Sequence, residues 1–342
     1  MNAGPLTATR PAQPATTRRR GPHLHGLVWL MWRQNRAAFW IGLTAATAFA
    51  VYAAVQHQHL AAAIARQHLD RCAGATEPTG ACFSKIAEFG ATYQFPMRRP
   101  LQVLAAVPLL LGLFLGSPQL SQELESGTYR TVCTQSVTRL RWFAAKLAVP
   151  VVLTVVISGV LAAAMTWWWR PAARVMGGRF PWYDWYPFDG IGPVLVGRSV
   201  LLVVLGVTLG LVLRRTVLAM GVTLAAGAGT LLLLERVRGS LWPTVTVNAR
   251  HTTAIPGPDG AWVLSDGALS PTGARVTDVP GCFGATGGYE KCMFAAGRTG
   301  HWAELHPSSH LWPLQWMETG VCLLLAAAPA ALCVGWVRTR MT

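Results

Sequence analysis

Long apolar stretches separated by short polar and basic segments dominate this chain. Crossing a bilayer takes about 20 mostly apolar residues. Six stretches approach or reach that length: residues 37–56, 101–116, 148–169, 191–213, 216–234 and 314–337. The second stretch is the shortest, and basic residues and a proline stand immediately before it. The pattern predicts an all-α polytopic membrane protein with six transmembrane helices.

Composition supports this prediction and excludes other classes. Of the 342 residues, 52% are hydrophobic and only 13% are charged, whereas a soluble domain carries about 25% charged residues. The net charge of +15 does not indicate nucleic-acid binding, because long apolar runs separate the basic residues and no single amphipathic face collects them. An ordinary cytosolic enzyme, a disordered chain and a disulfide miniprotein are therefore excluded.

Basic residues also predict the orientation. Arg214 and Arg215 alone separate the fourth span from the fifth, and arginines near span ends favour the cytoplasmic side. Six spans then place both termini in the cytoplasm of a multi-pass protein of the cell membrane. Residues 1–25 are rich in Pro, Thr, Ala and Arg, which predicts a disordered basic cytoplasmic tail.

The remaining chain divides into three parts. Residues 26–234 contain spans 1–5, preceded by an amphipathic interfacial helix that places Leu27, Leu30 and Met31 on one face. Residues 235–312 alternate short β-type runs with turn signals, which predicts a small mixed extracellular domain between spans 5 and 6. Residues 313–342 hold the sixth span and a short cytoplasmic tail.

Four of the seven cysteines form two local pairs in the predicted outer segments. Nine residues separate Cys72 from Cys82, and nine separate Cys282 from Cys292. Such pairs on an oxidising side favour disulfides, each stabilising by about 3 kcal/mol in the chain-entropy model. The alternative is a zinc site, which this spacing does not fit. The other three, Cys133, Cys322 and Cys333, are expected to be free thiols.

Two further outer features allow a sharper interpretation. His301, Glu304, His306 and His310 include good metal ligands, but a proline interrupts them and no H-E-x-x-H is present, so we expect no metal. The aromatic segment 180–188 is expected in the headgroup layer. A lip that contacts substrate is the alternative.

One arginine and one glutamate are charged residues within the predicted spans. Arg198 lies near the outer end of the fourth span, where it either extends to the surface or marks a functional site. Glu318 lies in the first turns of the sixth span, where it pairs with Arg198 or interacts with the helix start. Two glycine pairs at four-residue spacing suit close helix packing, although chance also produces such pairs: Gly112 with Gly116 and Gly206 with Gly210.

The predicted inner loop 117–147 is the most informative part of the sequence. It contains two short amphipathic helices with a glycine between them, and Glu123 and Glu125 are the only acids predicted inside the cell. An acidic spot on a basic cytoplasmic surface is a candidate docking point for a basic groove. Alternatively, the loop is solvated and its acids pair with Arg130 or Arg139.

This loop resembles a pattern of ABC-2 type transporter permeases, in a six-span branch common in actinobacteria. The pattern reads Gly-x-Pro, Glu-x-Glu-x-Gly-Thr, Thr-Gln-Ser-Val-x-Arg-x-Arg-Trp and Lys-Leu. Residues 306–320, which enter the last span, and Trp262–Gly267 resemble the same branch, although His310 stands where the pattern has Arg. Only residues 1–25 fall outside the resemblance.

The resemblance implies the permease subunit of an ATP-binding-cassette exporter. In that family two permease copies pair with two ATPase subunits, and the inner loop is the coupling helix. The implied coupling residues are Glu123, Glu125, Gly127, Thr128, Arg139 and Arg141. The sequence contains no G-x-x-x-x-G-K-[ST], so we expect a non-catalytic chain without a cofactor, and a partner that binds ATP and Mg.

Two other functions remain open on the sequence. A membrane-anchored sensor would use the outer domain, but no inner segment is long enough for an output domain. An ion-coupled transporter would carry carboxylates in mid-membrane, and Glu318 near a span end is the only one in the predicted spans.

Overall fold

The computed structural model describes residues 27–73, 80–127, 138–177, 180–251, 255–276, 281–282 and 288–340. Within these ranges the protein is a bundle of long helices with a small β-sheet inserted before the last one. The helices are α1 (Leu27–Gln67), α2 (Leu69–Ala73), α3 (Gly80–Leu111), α4 (Pro118–Glu125), α5 (Arg139–Met176), α6 (Trp185–Gly190), α7 (Gly192–Leu213), α8 (Thr216–Val237), α9 (Tyr289–Ala295) and α10 (Leu311–Arg340). The predicted tail 1–25 and Cys133 lie outside the described residues.

Six helical stretches are long and apolar enough to cross a membrane. They run over Arg33–Gln67, Gly80–Glu125, Leu140–Met176, Gly192–Leu213, Thr216–Ser240 and Ser308–Val337. Each contains one of the six predicted apolar stretches, except that the fourth begins one residue later than predicted. The prediction of a multi-pass helical membrane protein is therefore confirmed.

The first two long helices extend well beyond the apolar stretches that predicted them. α1 is continuous from Leu27 to Gln67, so the expected interfacial helix is not a separate element but the first turns of α1. Beyond the span, α1 continues through residues predicted as loop, and α3 begins about 20 residues before its apolar stretch. A disulfide joins Cys72 of α2, the short helix directly after α1, to Cys82 in the first turn of α3.

Helix α7 lies at the centre of the bundle and is the most buried of the long helices. Its glycines allow a close approach of the five-residue π-helical segment Gly112–Gly116, which connects α3 to α4. A Cβ on Gly206 would lie 2.5 Å from the Gly112 oxygen, and a Cβ on Gly210 would lie 2.6 Å from the Ser117 oxygen. The glycine spacing is therefore a packing feature rather than a chance pattern.

A four-stranded antiparallel sheet follows α8. Its strands are β1 (Val245–Arg250), β2 (Trp262–Leu269), β3 (Arg275–Val276) and β4 (Gly300–His306), in the order β1-β4-β2-β3. The β-type runs predicted within residues 235–312 thus form a sheet. The second disulfide, between Cys282 and Cys292, is also present, and Cys282 packs with Ala268 of β2. Both predicted disulfides are confirmed, and Cys322 and Cys333 are buried free cysteines.

The aromatic segment before α7 joins the sheet to the helices. Phe180 and Trp182 are buried, and the indole Nε1 of Trp182 donates a hydrogen bond to the carbonyl of Gly260 at 2.9 Å. The ring of Tyr183 stacks on Trp262 with centroids 5.7 Å apart. These rings pack against the sheet, and the location of the segment in the headgroup layer stays a prediction.

Candidate functional site

The short helix α4 is amphipathic and lies at one end of the bundle. Pro118 occupies its first turn, and Leu120 and Ser121 are buried. Leu120 packs with Trp142 and Phe143 at the start of α5 and with Leu211 at the end of α7. Opposite this buried face, Gln122 and Glu125 are exposed. The helix is thus anchored to α5 and α7 and presents a polar face.

Glu123 is held inside the chain by a buried lysine. The Nζ of Lys146 lies 2.6 Å from Glu123 Oε1 and donates a second hydrogen bond to Gln34 Oε1 at 2.7 Å. The amide of Gln34 donates to the same glutamate oxygen at 2.9 Å. This triad joins α1, α4 and α5. The alternative that the acids pair with Arg130 or Arg139 involves side chains outside the described part of the chain, and Lys146 was recognised in the sequence only as part of the Lys-Leu motif.

Glu125 is held at the start of α8. Its Oε2 accepts a hydrogen bond from the backbone N–H of Thr216 at 2.8 Å. Backbone N–H groups at a helix start lack partners within the helix, and a carboxylate there also interacts favourably with the helix dipole. Glu125 therefore links α4 to the Arg214–Arg215 turn between α7 and α8.

The other predicted coupling residues are only partly described. Gly127 has a φ of +71° and follows the end of α4, as a helix-terminating glycine does. Arg139 begins α5, and Arg141 is exposed one residue before Trp142. Thr128 lies outside the described residues, as does Arg130.

Four buried charges meet at the opposite end of α7. Arg198 of α7 and Arg238, just after α8, face Asp189 of α6 and Glu318 of α10. Arg198 Nη1 lies 2.5 Å from Asp189 Oδ2, and its Nε donates to Glu318 Oε1 at 2.7 Å. Arg238 Nη2 lies 2.5 Å from Asp189 Oδ1, and its Nε donates to Glu318 Oε2 at 3.1 Å. We call these four residues the charge network; its formal charges balance.

Burial of the charge network corrects the simpler expectation for Arg198. The side chain is about 2% exposed, and that of Glu318 is 0% exposed. Arg198 therefore does not extend to the surface, whereas the alternative that it pairs with Glu318 is confirmed. Phe188 adds to the enclosure, because the guanidinium of Arg238 lies 3.9 Å from its ring centroid.

Sequence reasoning missed half of the charge network and a neighbouring amide. Asp189 and Arg238 stand outside the apolar stretches, so they were assigned to outer segments rather than to the bundle. Gln315 is fully buried; its Oε1 accepts from the Val194 N–H at 3.1 Å and its Nε2 donates to the Phe188 carbonyl at 2.7 Å. A polar residue three positions before Glu318, near a span start, was the available signal.

Two titratable groups of the aromatic segment, close to the charge network, have shifted pKa values. Partial burial raises the pKa of Asp184, and the nearby Arg98 guanidinium opposes that rise. Burial likewise raises the pKa of the Tyr186 hydroxyl, over whose ring Arg98 lies at 5.3 Å. These residues connect α3 to the aromatic segment.

Comparison with known protein families gives a match over residues 43–238 to the family described as ABC-2 membrane transporter related. That match covers more than half of the chain. The chain belongs to the ABC-2 membrane transporter related family. No curated protein and no solved structure matches it.

The family match begins within the first span, includes spans 2–5 and the whole loop 117–147, and ends at Arg238. It leaves out the sheet and α10, so residues 306–320 resemble the family without falling within the match. Membership fits a transporter permease, and membrane subunits of ABC-2 families generally partner with an ATPase subunit.

Proposed function

We propose that the chain is the permease subunit of an ATP-binding-cassette exporter of the cell membrane, in which α4 and the segment after it bind a separate ATPase. The family match over residues 43–238 carries the proposal. ATP and Mg belong to the partner, and this chain performs no catalysis. Two copies of the permease pair with two ATPases, and both termini face the cytoplasm.

The contacts of α4 support its role as the coupling element. A helix that receives a push must transmit it, and α4 is joined to α1 and α5 through Glu123 and to α8 through Glu125. Gln122, Glu125 and Arg141 are exposed on this end of the bundle. In this proposal the exposed side chains contact the ATPase, and the Glu123–Lys146 pair passes the movement to the spans.

Helix α7 supports coupling over the length of the bundle. Leu211 near its end contacts the α4 cluster, and Arg198 near its start belongs to the charge network. These two residues are thirteen positions apart on the helix, a distance of about 20 Å. Because a rigid helix joins the two packed ends, a single change between two conformations would move both ends together. ATP-driven transport requires such a link between the ATPase side and the far side of the bundle.

An ion-coupled transporter is the second candidate, favoured by the two buried carboxylates of Asp189 and Glu318. Each of them faces two guanidiniums, Arg198 and Arg238. A carboxylate compensated in this way offers little to a transported cation. We therefore rank this function below the ATP-driven one.

The test is coexpression of the tagged chain with each ABC ATPase of the same genome that lacks a fused permease domain. We expect one ATPase to copurify, and its ATP hydrolysis to change when the permease is present. Replacing the exposed pair with Gln122→Arg and Arg141→Glu should abolish copurification. The control is Lys85→Gln, which likewise lowers the net charge by one and changes an exposed residue at the other end of the bundle, combined in a second control with Arg99→Glu.

Three outcomes would contradict the proposal. One is the absence of any ATPase that copurifies. Another is equal loss of copurification in both double variants. The third is transport by proteoliposomes that depends on an ion gradient and not on ATP.

A further inference from the structure

A cavity of about 660 Å³ lies between α1 and α5, at the end of the bundle remote from α4. Its α1 wall includes His57 and Ile64, and its α5 wall includes Trp167, Arg170 and Arg174. Three and seven positions after Trp167, the two arginines fall on the same side of the helix as that ring. The volume lies in the range of small-molecule sites.

The two arginines give the cavity a positive wall. Neither guanidinium lies within 4 Å of a carboxylate oxygen in the part of the chain that the structure describes. Among the described residues Asp70 is the one acid that lines the cavity, so positive charge is in excess there. Arg170 is also positioned by Trp312, whose ring centroid lies 5.2 Å from its Cζ.

His57 adds a polar atom that lacks a partner. Its ring stacks on Trp167, with centroids 3.8 Å apart and planes at 16°, which fixes its orientation. The Nδ1 atom is buried and has no hydrogen-bond partner among the described residues. Buried polar atoms of side chains normally have one, and a ligand in the cavity would supply it.

We propose that this cavity binds an amphiphile with an acidic head group, either a carboxylate or a phosphate. Planar guanidiniums pair with both groups through two parallel hydrogen bonds, and Arg170 and Arg174 stand one turn apart for that contact. The apolar body of the ligand lies against Trp167 and Ile64. Tryptophans prefer the headgroup level of a membrane, which places the acid at the interface and the tail toward the lipid.

Two sources supply this chemistry: a resident membrane phospholipid and a transported acid. The second rests on the proposed transport function, whereas binding itself does not. Arginines near span ends also extend to headgroups without forming a site. Saturable binding that depends on the acid group separates a site from that general attraction.

The experiment titrates the purified full chain, in neutral maltoside micelles and without an ATPase, with dansylaminoundecanoic acid and with its methyl ester. We expect saturable binding of the acid and weak binding of the ester. Arg170→Gln with Arg174→Gln should weaken binding of the acid by tenfold or more, because each hydrogen bond to a charged group contributes about a factor of ten to the affinity. His57→Phe keeps the stack on Trp167 and should weaken it by a smaller factor.

The matched control is Lys85→Gln with Arg99→Gln, which removes two exposed positive charges at the same end of the bundle. Unchanged binding in this control supports the proposal. Equal binding of the ester, equal loss in both double variants, or no loss in the Arg170 and Arg174 variant would each overturn it. His57→Phe keeps the test decisive if the double arginine variant fails to fold.

A second arm distinguishes the two sources. Native mass spectrometry of the chain in phosphatidylcholine nanodiscs, with and without phosphatidic acid, reports retained lipid. Retention of phosphatidic acid that the dansyl acid cannot displace identifies a resident lipid. Displacement identifies an exchangeable acid. The Arg170 and Arg174 variant should still copurify with the ATPase, so failure of this inference is separable from failure of the proposed function.

Discussion

The variant Glu318→Gln tests the charge network directly, because it keeps the shape of the side chain and removes one negative charge. Glu318 is fully buried and accepts hydrogen bonds from Arg198 at 2.7 Å and from Arg238 at 3.1 Å. In the variant, both guanidiniums face Asp189 alone. The network then carries net positive charge in apolar surroundings.

The expected cost follows from the three neighbours of Glu318. Opposite unit charges about 4 Å apart attract by roughly 4 kcal/mol at an effective dielectric constant of about 20. Glu318 has two positive neighbours, Arg198 and Arg238, and one negative neighbour, Asp189, so about one attraction remains after the repulsion is subtracted. Measured costs of breaking a buried pair are about 3–5 kcal/mol. We expect the free energy of unfolding to fall by about 4 kcal/mol.

The assay is reversible unfolding in mixed micelles, followed by circular dichroism. The control is Glu304→Gln, because Glu304 pairs with Arg275 at 3.7 Å with both side chains more than a third exposed; it should cost below about 1 kcal/mol. Adding Arg198→Gln to Glu318→Gln restores the charge balance of the network. The double variant should therefore lose less stability than the sum of the losses in the two single variants. Equal losses for the two glutamate variants, or full additivity in the double variant, would refute the reasoning.

Three further predictions test packing, cross-linking and capping. Gly206→Ala places a Cβ 2.5 Å from a backbone oxygen, which should destabilise the protein by about 1–3 kcal/mol and lower Tm in a thermal-shift assay. In the control, Gly221→Ala, the new Cβ meets nothing within 4 Å, so Tm should stay unchanged or rise. Replacing Cys282 and Cys292 with serine should cost about 3 kcal/mol and speed proteolysis of the sheet; unaltered proteolysis would contradict this. Gln315→Leu leaves a buried N–H and a buried carbonyl without partners. The free energy of unfolding, measured by denaturant titration, should therefore fall by about 1–3 kcal/mol.

The sequence predicted the spans well because their signal is local. Length and apolar character suffice for a membrane helix, and the arginine pair at 214–215 marked the α7–α8 turn. The helical extensions of α1 and α3 were missed, because polar residues beyond the membrane read as loop. Only the disulfide between Cys72 and Cys82 hinted that those segments lie together.

The polar contacts were harder to predict, because each joins residues far apart in the chain. Arg198 and Glu318 were identified as exceptional, since a charge in an apolar stretch is visible by itself. Asp189 and Arg238 were not, because charges just outside a span are common and only the fold brings them inward. In the inner loop the acids were recognised, but Lys146 was seen only as part of a motif.

The π-helical segment Gly112–Gly116 fixes the rotation of α4 about its axis. The Ser117 N–H bonds the Gly112 carbonyl at 3.1 Å, one residue farther along than in an α-helix. Each residue of an α-helix turns the chain by about 100°, so deleting one residue here would keep a continuous helix but aim Glu123 away from Lys146. The number of residues at this junction thus sets the direction in which the side chains of α4 point. An in-frame deletion of one codon would leave the rest of the sequence unchanged but would rotate α4 relative to the bundle.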